Sequence, residues 1–510
     1  MIALAILISA AASMPCDSVM SLSTPQTAIA SAELVPEGPV AAPGAPPAGG
    51  RGAAPTPGGR GAAPGGRGGG IPPGLGPTPP TLPAHCKVVM TLKPTSDSNI
   101  LVELWLPTEH WNGKFLAVGN GGFAGAIQGY GDMQSALRLG YATAGTDTGH
   151  TGADGMFGLG HPEKIVDFAY RAVHEMTAKS KEIVNTFYGR GVALSYFKGC
   201  STGGREAVMS AQRYPLDFDG IIAGALANRH IQMHTAGFAR QVNSARHPEQ
   251  ALSPAKAKLV NDAVMQKCDT MHEGFLNNPR ECSFDFSTLV CNGAESDACL
   301  TRPQLQAVEG FYGGVKNGKG ELIFSGQALG NPILPSRGGS PTSVIDTVRI
   351  WGFENPDYDW QTFDLDRDMP IINKKVGFVD AVDSDLSAFK AHGGKLLMYA
   401  GWADTGITPE NTVLYYESVL GRMGKSQDDW MRLFMVPGMG HCGGGPGVNS
   451  FDTIGTLDYW REKGGAPAQI TAANAQTAMS RPLCPYPHYA KYKGTGNVRD
   501  AANWSCVAPR

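Results

Sequence analysis

The sequence has no Cys-x-x-Cys spacing, although ten of its 510 residues are cysteine. Such spacings are typical of structural zinc sites and of redox-active dithiols, so their absence argues against both classes. An even number of cysteines favours disulfides instead, formed in an oxidising compartment. We therefore expect disulfides and no metal site.

A strong net charge and long apolar runs are also missing. The formal net charge is −3, which gives no support for binding to nucleic acid or to an anionic membrane. Arg-Gly units at Arg51, Arg60 and Arg67 resemble RNA-binding tails, but the aromatic residues and further arginines of such tails are missing. After the N-terminus, no segment is long and apolar enough to span a bilayer. We expect no nucleic-acid partner and no membrane span, and make no prediction of the oligomeric state.

Residues 1–13 form a possible signal segment. Residues 2–12 are an apolar run that ends in small residues, as in a secretory signal, but the usual preceding basic residues are missing. Either the true start lies upstream of Met1 or the signal is atypical. With the cysteines, this segment favours a secreted or periplasmic protein.

A Pro/Gly-rich stretch interrupts the N-terminal region. Residues 27–35 are predicted to form a strand, whereas residues 36–82 consist mainly of Pro, Gly and Ala. Such a composition buries too little apolar surface to offset the entropy of ordering. We predict a disordered surface insertion at residues 36–82.

Strands and helices then alternate. Residues 86–92 and 100–106 are predicted to be antiparallel strands, and residues 162–188 a long helix. The alternation continues beyond them and predicts an α/β fold with a mostly parallel sheet covered on both faces.

The alternation stops at about residue 228. The segment that follows is rich in Gly, Pro and aromatic residues and contains Cys268, Cys282, Cys291 and Cys299. Strand-forming sequence returns at residues 395–400 and 432–436. We predict a core of residues 14–227 and 386–510, with residues 228–385 inserted as a lid domain.

The motif Gly199-Cys200-Ser201-Thr202-Gly203 lies between a predicted strand and a predicted helix. Gly-x-Ser-x-Gly is common by chance, and an ordinary Gly-rich turn is the alternative. Between a strand and a helix, the motif predicts a nucleophile elbow, because glycines at 199 and 203 avoid Cβ clashes in the sharp reversal. Ser201 would be the nucleophile, and the Thr202 amide would face the developing oxyanion.

The two returning strands each lead to a candidate catalytic residue, Asp404 and His441. Taken singly, His441 fits a structural loop residue equally well, and Asp404 a turn or cap residue. Functional loops follow the carboxyl ends of strands in open α/β sheets, and the order Ser201, Asp404, His441 is that of α/β-hydrolases. We predict that His441 takes the serine proton while Asp404 orients and stabilises the imidazole.

Cysteines adjoin two of these residues: Cys200 precedes Ser201, and Cys442 follows His441. In a working triad the serine and histidine lie within hydrogen-bond distance, which could bring their neighbours into disulfide range. A bridge there would tie nucleophile to base; two separate buried thiols are the alternative.

A glycine cluster follows the predicted strand at residues 114–118. Glycines after a strand allow close backbone approach to a ligand, and in hydrolases of this type that loop supplies a second oxyanion amide. We predict this role for Gly121 and Gly122; a flexible turn is the alternative.

Together these motifs resemble the tannase and feruloyl esterase family, which also contains mono(hydroxyethyl) terephthalate hydrolases. The resemblance spans residues 16–506 apart from the Pro/Gly-rich insertion. Besides the Cys-Ser, Asp and His-Cys arrangement, it rests on residues 112–115, 146–152, 171–175, 211–215, 218–221 and 437–445.

The resemblance implies an α/β-hydrolase core with a large inserted lid domain. It implies that Ser201 is the acyl-forming nucleophile, Asp404 the charge partner and His441 the general acid/base, without a cofactor. It places oxyanion amides at Thr202 and around Gly121 and Gly122. The implied disulfides are Cys16–Cys86, Cys200–Cys442, Cys268–Cys282, Cys291–Cys299 and Cys484–Cys506.

One departure concerns metal binding. Family lids often carry a calcium loop, but the matching stretch, residues 268–278, is shorter and poor in carboxylates, and only Asp269 clearly survives. Because calcium favours several oxygen ligands, we predict that no normal calcium site forms.

The implied activity is that of a secreted serine esterase acting on small aromatic esters, such as those of ferulate or gallate. Trp351 and Phe353 would stack on the acyl ring, with Ile407 as a further substrate-binding candidate. Arg349 could pair with an acidic substrate group, although we favour a structural salt bridge. A hydrolase of terephthalate half-esters, which needs a cationic anchor, is the alternative within the class. A non-catalytic aromatic-ligand-binding protein is the alternative outside it.

Overall fold

The computed structural model describes residues 13–39, 81–333 and 346–509. Its strands are, in chain order, β1 (Thr27–Val35), β2 (Gly38–Pro39), β3 (Thr81–Leu82), β4 (His85–Leu92), β5 (Ile100–Pro107), β6 (Lys114–Val118), β7 (Ala142–Thr146), β8 (Leu194–Cys200), β9 (Gly220–Gly224), β10 (Val315–Lys316), β11 (Leu322–Phe324), β12 (Lys395–Gly401), β13 (Met431–Val436), β14 (Ile470–Asn474), β15 (Met479–Leu483), β16 (Tyr489–Tyr492) and β17 (Trp504–Val507).

The α-helices are α1 (Tyr130–Arg138), α2 (Pro162–Val166), α3 (Ala172–Tyr188), α4 (Thr202–Arg213), α5 (His230–Arg246), α6 (Pro254–Cys268), α7 (Arg302–Gly313), α8 (Leu365–Val376), α9 (Ser387–Ala391), α10 (Pro409–Met423) and α11 (Thr453–Lys463). A π-helical turn, Asp167–Arg171, joins α2 to α3. The long helix predicted at residues 162–188 is therefore confirmed.

Nine strands form the central sheet, in the order β1-β4-β5-β7-β6-β8-β9-β12-β13. The pairs from β1 to β7 are antiparallel, and every neighbouring pair from β7 to β13 is parallel. These pairings confirm the predicted α/β fold, the mostly parallel sheet, the strand at residues 27–35 and the antiparallel pair at residues 86–92 and 100–106.

Helices cover both faces of this sheet. Leu396 and Met398 of β12 lie in an apolar cluster with side chains of α3, α4 and α10, whereas Leu397 and Tyr399 lie in another with side chains of α1, α11 and β15. Because successive residues of a strand point to opposite faces, a strand that is apolar at every position is buried on both sides.

Residues 228–385 are inserted between two neighbouring strands. β9 and β12 pair in parallel, with Gly220 opposite Lys395, so the chain leaves the sheet after β9 and rejoins it at the adjacent position. The described part of the insertion contains α5 to α8 and the short pair β10–β11. The bounds of the predicted lid domain stay a prediction.

All ten cysteines lie within the described residues and are paired. The five disulfides are those that the resemblance implies: Cys16–Cys86, Cys200–Cys442, Cys268–Cys282, Cys291–Cys299 and Cys484–Cys506. Cys200–Cys442 closes the longest loop, since its cysteines are 242 residues apart in sequence.

Two predicted segments lie mostly outside the described residues: the signal segment at 1–13 and the Pro/Gly-rich insertion at 36–82. The ends of the insertion are described, and β2 pairs antiparallel with β3 there, with Gly38 opposite Leu82. In the described portion of the chain, every helix is too short or too polar to cross a bilayer.

Buried histidines lie where the inserted segment packs against the core. His150 stacks on Phe157 with ring centroids 3.6 Å apart, and His230 stacks on Trp351 at 6.0 Å. Burial lowers the pKa of His150 and of His234 to about 4, and lowers that of His230 well below its usual value. At neutral pH these imidazoles therefore serve as uncharged aromatic rings in the core.

Replacing His150 with Phe should make folding less sensitive to acid. The folded-state pKa of about 4 lies below the ordinary value of 6.5, so the unfolded chain binds the extra proton between these pH values. The contribution of His150 to stability is therefore complete above pH 6.5 and is lost as the pH falls toward 4, at up to about 1.4 kcal/mol per pH unit. Thermal unfolding at several pH values should show that the stability of the H150F variant rises relative to that of the wild type as the pH decreases.

An H247F variant, at an exposed position, controls for the introduction of a phenylalanine. A difference between H150F and wild type that stays constant from pH 7 to pH 4.5 would contradict the assignment.

Candidate active site

Ser201 lies in a sharp reversal between β8 and α4, with φ 64° and ψ −122°. Its amide donates a hydrogen bond to Gly224 O (3.1 Å), which fixes the turn against the end of β9. A Cβ added to Gly199 would lie 2.3 Å from Gly203 O, so only glycine fits there. The predicted strand–turn–helix arrangement is therefore present, with Ser201 at its apex.

Asp404 follows β12 and is completely buried. One carboxylate oxygen, Oδ2, lies 2.8 Å from His441 Nδ1. The other, Oδ1, accepts hydrogen bonds from the amides of Gly406 (2.7 Å) and Ile407 (2.9 Å). Because an ionised carboxylate only accepts hydrogen bonds, His441 Nδ1 carries the proton and Nε2 is left as the basic nitrogen.

Ser201 and His441 line the same cavity, which has a volume of about 380 Å³. The Cys200–Cys442 disulfide joins their chain neighbours, with 5.9 Å between the two Cα atoms. Within the described residues Ser201 Oγ has no hydrogen-bond partner. The structure thus brings all three predicted residues to one place and shows the aspartate–histidine contact, but no bond from the serine to the imidazole.

The predicted oxyanion amides differ in availability. Gly121 N already donates to Gln128 Oε1 at 2.9 Å. The amides of Gly122 and Thr202 donate to no acceptor in the described part of the chain, and Thr202 occupies the first position of α4, where the helix dipole favours negative charge. Thr202 Oγ1 donates to Gly122 O (2.6 Å), which ties the glycine loop to the start of α4. The amides of Thr202 and Gly122 are therefore unbonded within the described residues while that of Gly121 is engaged, and the oxyanion role of all three stays a prediction.

A buried carboxylate that sequence reasoning missed binds the backbone of the glycine loop after β6. Glu206 of α4 is 1% exposed, and its Oε2 accepts a hydrogen bond from Asn120 N at 3.0 Å. Asn120 O in turn accepts a 2.6 Å bond from Gly203 N. Burial raises the pKa of Glu206. No sequence signal separates Glu206 from other polar residues of a helix, since its partner is 86 residues away.

The four predicted substrate-binding residues are not among those that line the cavity at Ser201. Trp351 is 1% exposed and its Nε1 donates to Gly155 O at 2.8 Å, while Phe353 stacks on Tyr358 at 4.9 Å. Arg349 forms the salt bridge favoured from the sequence, at 2.8 Å from Asp346. These three residues do not line the cavity at Ser201. Ile407 is 7% exposed and adjoins the aspartate; substrate binding by all four stays a prediction.

Residues 268–278, which correspond to the family's calcium loop, form hydrogen bonds and an ion pair within the protein. Asp269 accepts hydrogen bonds from the amides of Glu273 (3.1 Å) and Gly274 (2.8 Å), one on each oxygen. Glu273 pairs with the buried guanidinium of Arg481 at 2.8 Å. Across the described residues, His, Cys, Asp and Glu side chains nowhere form a group of three suited to a metal ion. The side chains present therefore do not fit a calcium ion.

A family model described as tannase and feruloyl esterase matches residues 86–342 and 340–507. An uncharacterized esterase of Xanthomonas campestris pv. campestris is 35% identical, with 99% of this chain and 93% of that protein aligned. A probable feruloyl esterase B-2 of Aspergillus terreus is 33% identical over 83% of this chain and 86% of its own length.

Solved structures agree. Feruloyl esterase B from Aspergillus oryzae superposes with a TM-score of 0.83 at 28% identity, over 96% of this chain and 99% of that one. A tannin acyl hydrolase from Aspergillus niger superposes with a TM-score of 0.73 at 20% identity, over 97% of this chain and 95% of that one; at this identity it shows the fold alone.

The structures of the relatives confirm the predicted α/β-hydrolase fold. The relatives are esterases, which argues against the alternative of a non-catalytic binding protein. The chain belongs to the tannase and feruloyl esterase family and is a carboxylic ester hydrolase.

Proposed function

We propose that the protein is a secreted serine esterase that hydrolyses esters of small aromatic acids through Ser201, His441 and Asp404. The observation that carries the proposal is the 2.8 Å contact between His441 Nδ1 and buried Asp404, in a cavity that Ser201 also lines. Secretion is supported by the five disulfides, which form in oxidising compartments.

In the proposed reaction, His441 Nε2 removes the proton of Ser201 as the serine oxygen attacks the ester carbonyl. The amides of Thr202 and Gly122 stabilise the oxyanion. The tetrahedral intermediate then expels the alcohol, which takes the proton from His441, and an acyl-enzyme remains. A water molecule, deprotonated by the same imidazole, releases the acid and restores the serine. Asp404 holds the imidazole tautomer and stabilises its charged form throughout.

Two observations favour aromatic acyl groups: the relatives include feruloyl esterases, and aromatic side chains lie beside the glycine loop. The relatives include a probable feruloyl esterase B-2 of Aspergillus terreus and feruloyl esterase B from Aspergillus oryzae. Phe123, next to Gly122, contacts Phe168 and Trp351 with centroids 6.2 and 5.4 Å apart. We propose that residues 228–385 act as the lid of this site.

The half-ester alternative needs a cation free to bind a carboxylate. Arg349 is paired with Asp346, and the cation lining the cavity, Lys198, lies 2.7 Å from Asp132. Both carboxylates would repel the free acid group of a half-ester. The described residues therefore favour neutral aromatic esters.

Replacing Asp404 with Asn should lower kcat for methyl ferulate about 10³–10⁴-fold, because the imidazole loses its orienting carboxylate. Replacing Ser201 with Ala should abolish both turnover and labelling by a fluorophosphonate. The D262N variant, at an exposed surface position, should match the wild type. Stoichiometric labelling of the S201A protein would show that another residue is the nucleophile.

A three-substrate panel tests the acyl specificity. We expect kcat/KM for methyl ferulate or methyl gallate to exceed that for mono(hydroxyethyl) terephthalate, since the cavity offers no unpaired cation. Steady-state kinetics of the three esters side by side give the comparison. A preference for the half-ester that vanishes when its free carboxylate is methylated would instead favour the alternative.

Removing the Cys200–Cys442 bridge should affect catalysis directly. In the C200A/C442A variant, release of the loop that carries His441 should lower kcat by about 10²-fold even well below the unfolding temperature, because small misplacements of reacting groups are costly. The C291A/C299A variant, which opens a disulfide distant in sequence from the three catalytic candidates, should keep kcat. Equal kcat values for the two variants would argue against a role of the Cys200–Cys442 disulfide in positioning His441.

A further inference from the structure

A second cavity lies within the inserted segment, apart from the one at Ser201. It has a volume of about 570 Å³ and is lined by residues of α5, α7 and β10 together with Leu252, Ile333 and Leu365. Among the described residues, none lines both cavities. Small-molecule sites usually measure roughly 300–1,000 Å³. The insertion therefore has room for a ligand at a place that the catalytic candidates do not reach.

Arg240 of α5 brings an unpaired positive charge to this second cavity. Its Nε and Nη2 are buried and have no hydrogen-bond acceptor among the described residues. Nη1 likewise bonds to none of them but is not buried, so it is the nitrogen that a ligand can reach. The other arginines with a buried, unbonded nitrogen each have an acceptor at another nitrogen: Arg205, Arg229, Arg432, Arg461 and Arg481.

The chain itself supplies no counter-ion for Arg240. Every Asp and Glu lies in the described part of the chain, because residues 1–12, 40–80, 334–345 and 510 include neither. None of these described carboxylates lines the cavity. Burial lowers the pKa of Arg240, and no neighbouring carboxylate opposes that effect. Since a guanidinium nevertheless stays protonated, the charge persists and a negatively charged ligand would stabilise it.

The rest of the wall indicates what kind of anion fits. Lys316 of β10 is exposed and also lines the cavity, which adds a second positive charge. The apolar side chains of the wall are Leu252, Phe311, Val315, Ile333 and Leu365. Leu252 and Ile333 are each only 7% exposed. An inorganic anion would use the cations and leave this apolar wall uncovered, whereas an organic anion would use both.

We propose that the cavity around Arg240 is a binding site for a small organic carboxylate with an apolar body. The carboxylate accepts a hydrogen bond from Arg240, and the apolar body covers Leu252 and Ile333. This inference goes beyond the proposed function and does not depend on it, since the second cavity is separate from the catalytic candidates.

Binding of octanoate to the full-length protein tests the site. Isothermal titration calorimetry should show about one octanoate bound per chain, and octanoate should raise the melting temperature. Two probes separate the features of the ligand: 1-octanol has the chain without the charge, and inorganic phosphate has charge without the chain. Each should bind at least about tenfold more weakly than octanoate.

The R240M variant tests the residue. It should weaken octanoate binding at least about tenfold, because it removes the charged donor. It should not lower the melting temperature of the ligand-free protein, because it removes a charge that is poorly solvated and unpaired. The R240K variant keeps the charge and should bind more tightly than R240M. The R302M variant is the control, since Arg302 is exposed at the start of α7 and lies outside the cavity; it should bind octanoate as the wild type does.

Three results would overturn the proposal. The first is an octanoate affinity that R240M leaves unchanged, or a wild type that binds no octanoate. The second is phosphate or 1-octanol binding as tightly as octanoate, which would rule out the proposed class of ligand. The third is a lower melting temperature of ligand-free R240M, which would make Arg240 a structural residue.

Discussion

The site depends on a close approach of backbone segments that only glycine permits. Gly203 N lies 2.6 Å from Asn120 O, and a Cβ on Gly204 would lie 2.2 Å from Gly224 O. The start of α4 is therefore in direct backbone contact with the loop that follows β6 and with the end of β9. Once these contacts form, the positions of Ser201 and of the glycine loop are fixed relative to each other by the sheet.

The histidine is the residue that the sheet alone does not bring close. β8 and β13 are separated by β9 and β12, which at the usual spacing puts them about 14 Å apart. The loop after β13 must therefore return across two strands before His441 can reach the serine. Asp404, which follows the intervening β12, contacts the imidazole. The Cys200–Cys442 disulfide fixes the residue after His441 to the residue before Ser201.

Sequence motifs predicted the three catalytic candidates, because each depends on its position directly after a strand. Ser201, Asp404 and His441 each follow a predicted strand, and the alternation of strands with helices indicated a mostly parallel sheet. The side-chain contacts around the site could not be predicted. Glu206 bonds to Asn120 and Lys198 to Asp132, and these partners are 86 and 66 residues apart in sequence. Aromatic composition also cannot distinguish a buried indole such as Trp351 from one that lines a cavity.

The glycine loop after β6 is held from two sides, and one of them is the inserted segment. On the core side, buried Glu206 anchors Asn120. On the other side Phe123 contacts His230, Trp351 and His234 of the insertion, with ring centroids 5.7, 5.4 and 5.4 Å apart. Because burial keeps these histidines neutral, the contact is apolar packing that does not change around neutral pH. A change in the position of His230, His234 or Trp351 would therefore reach Gly122 through the adjacent Phe123, so the insertion contributes to the geometry of the glycine loop.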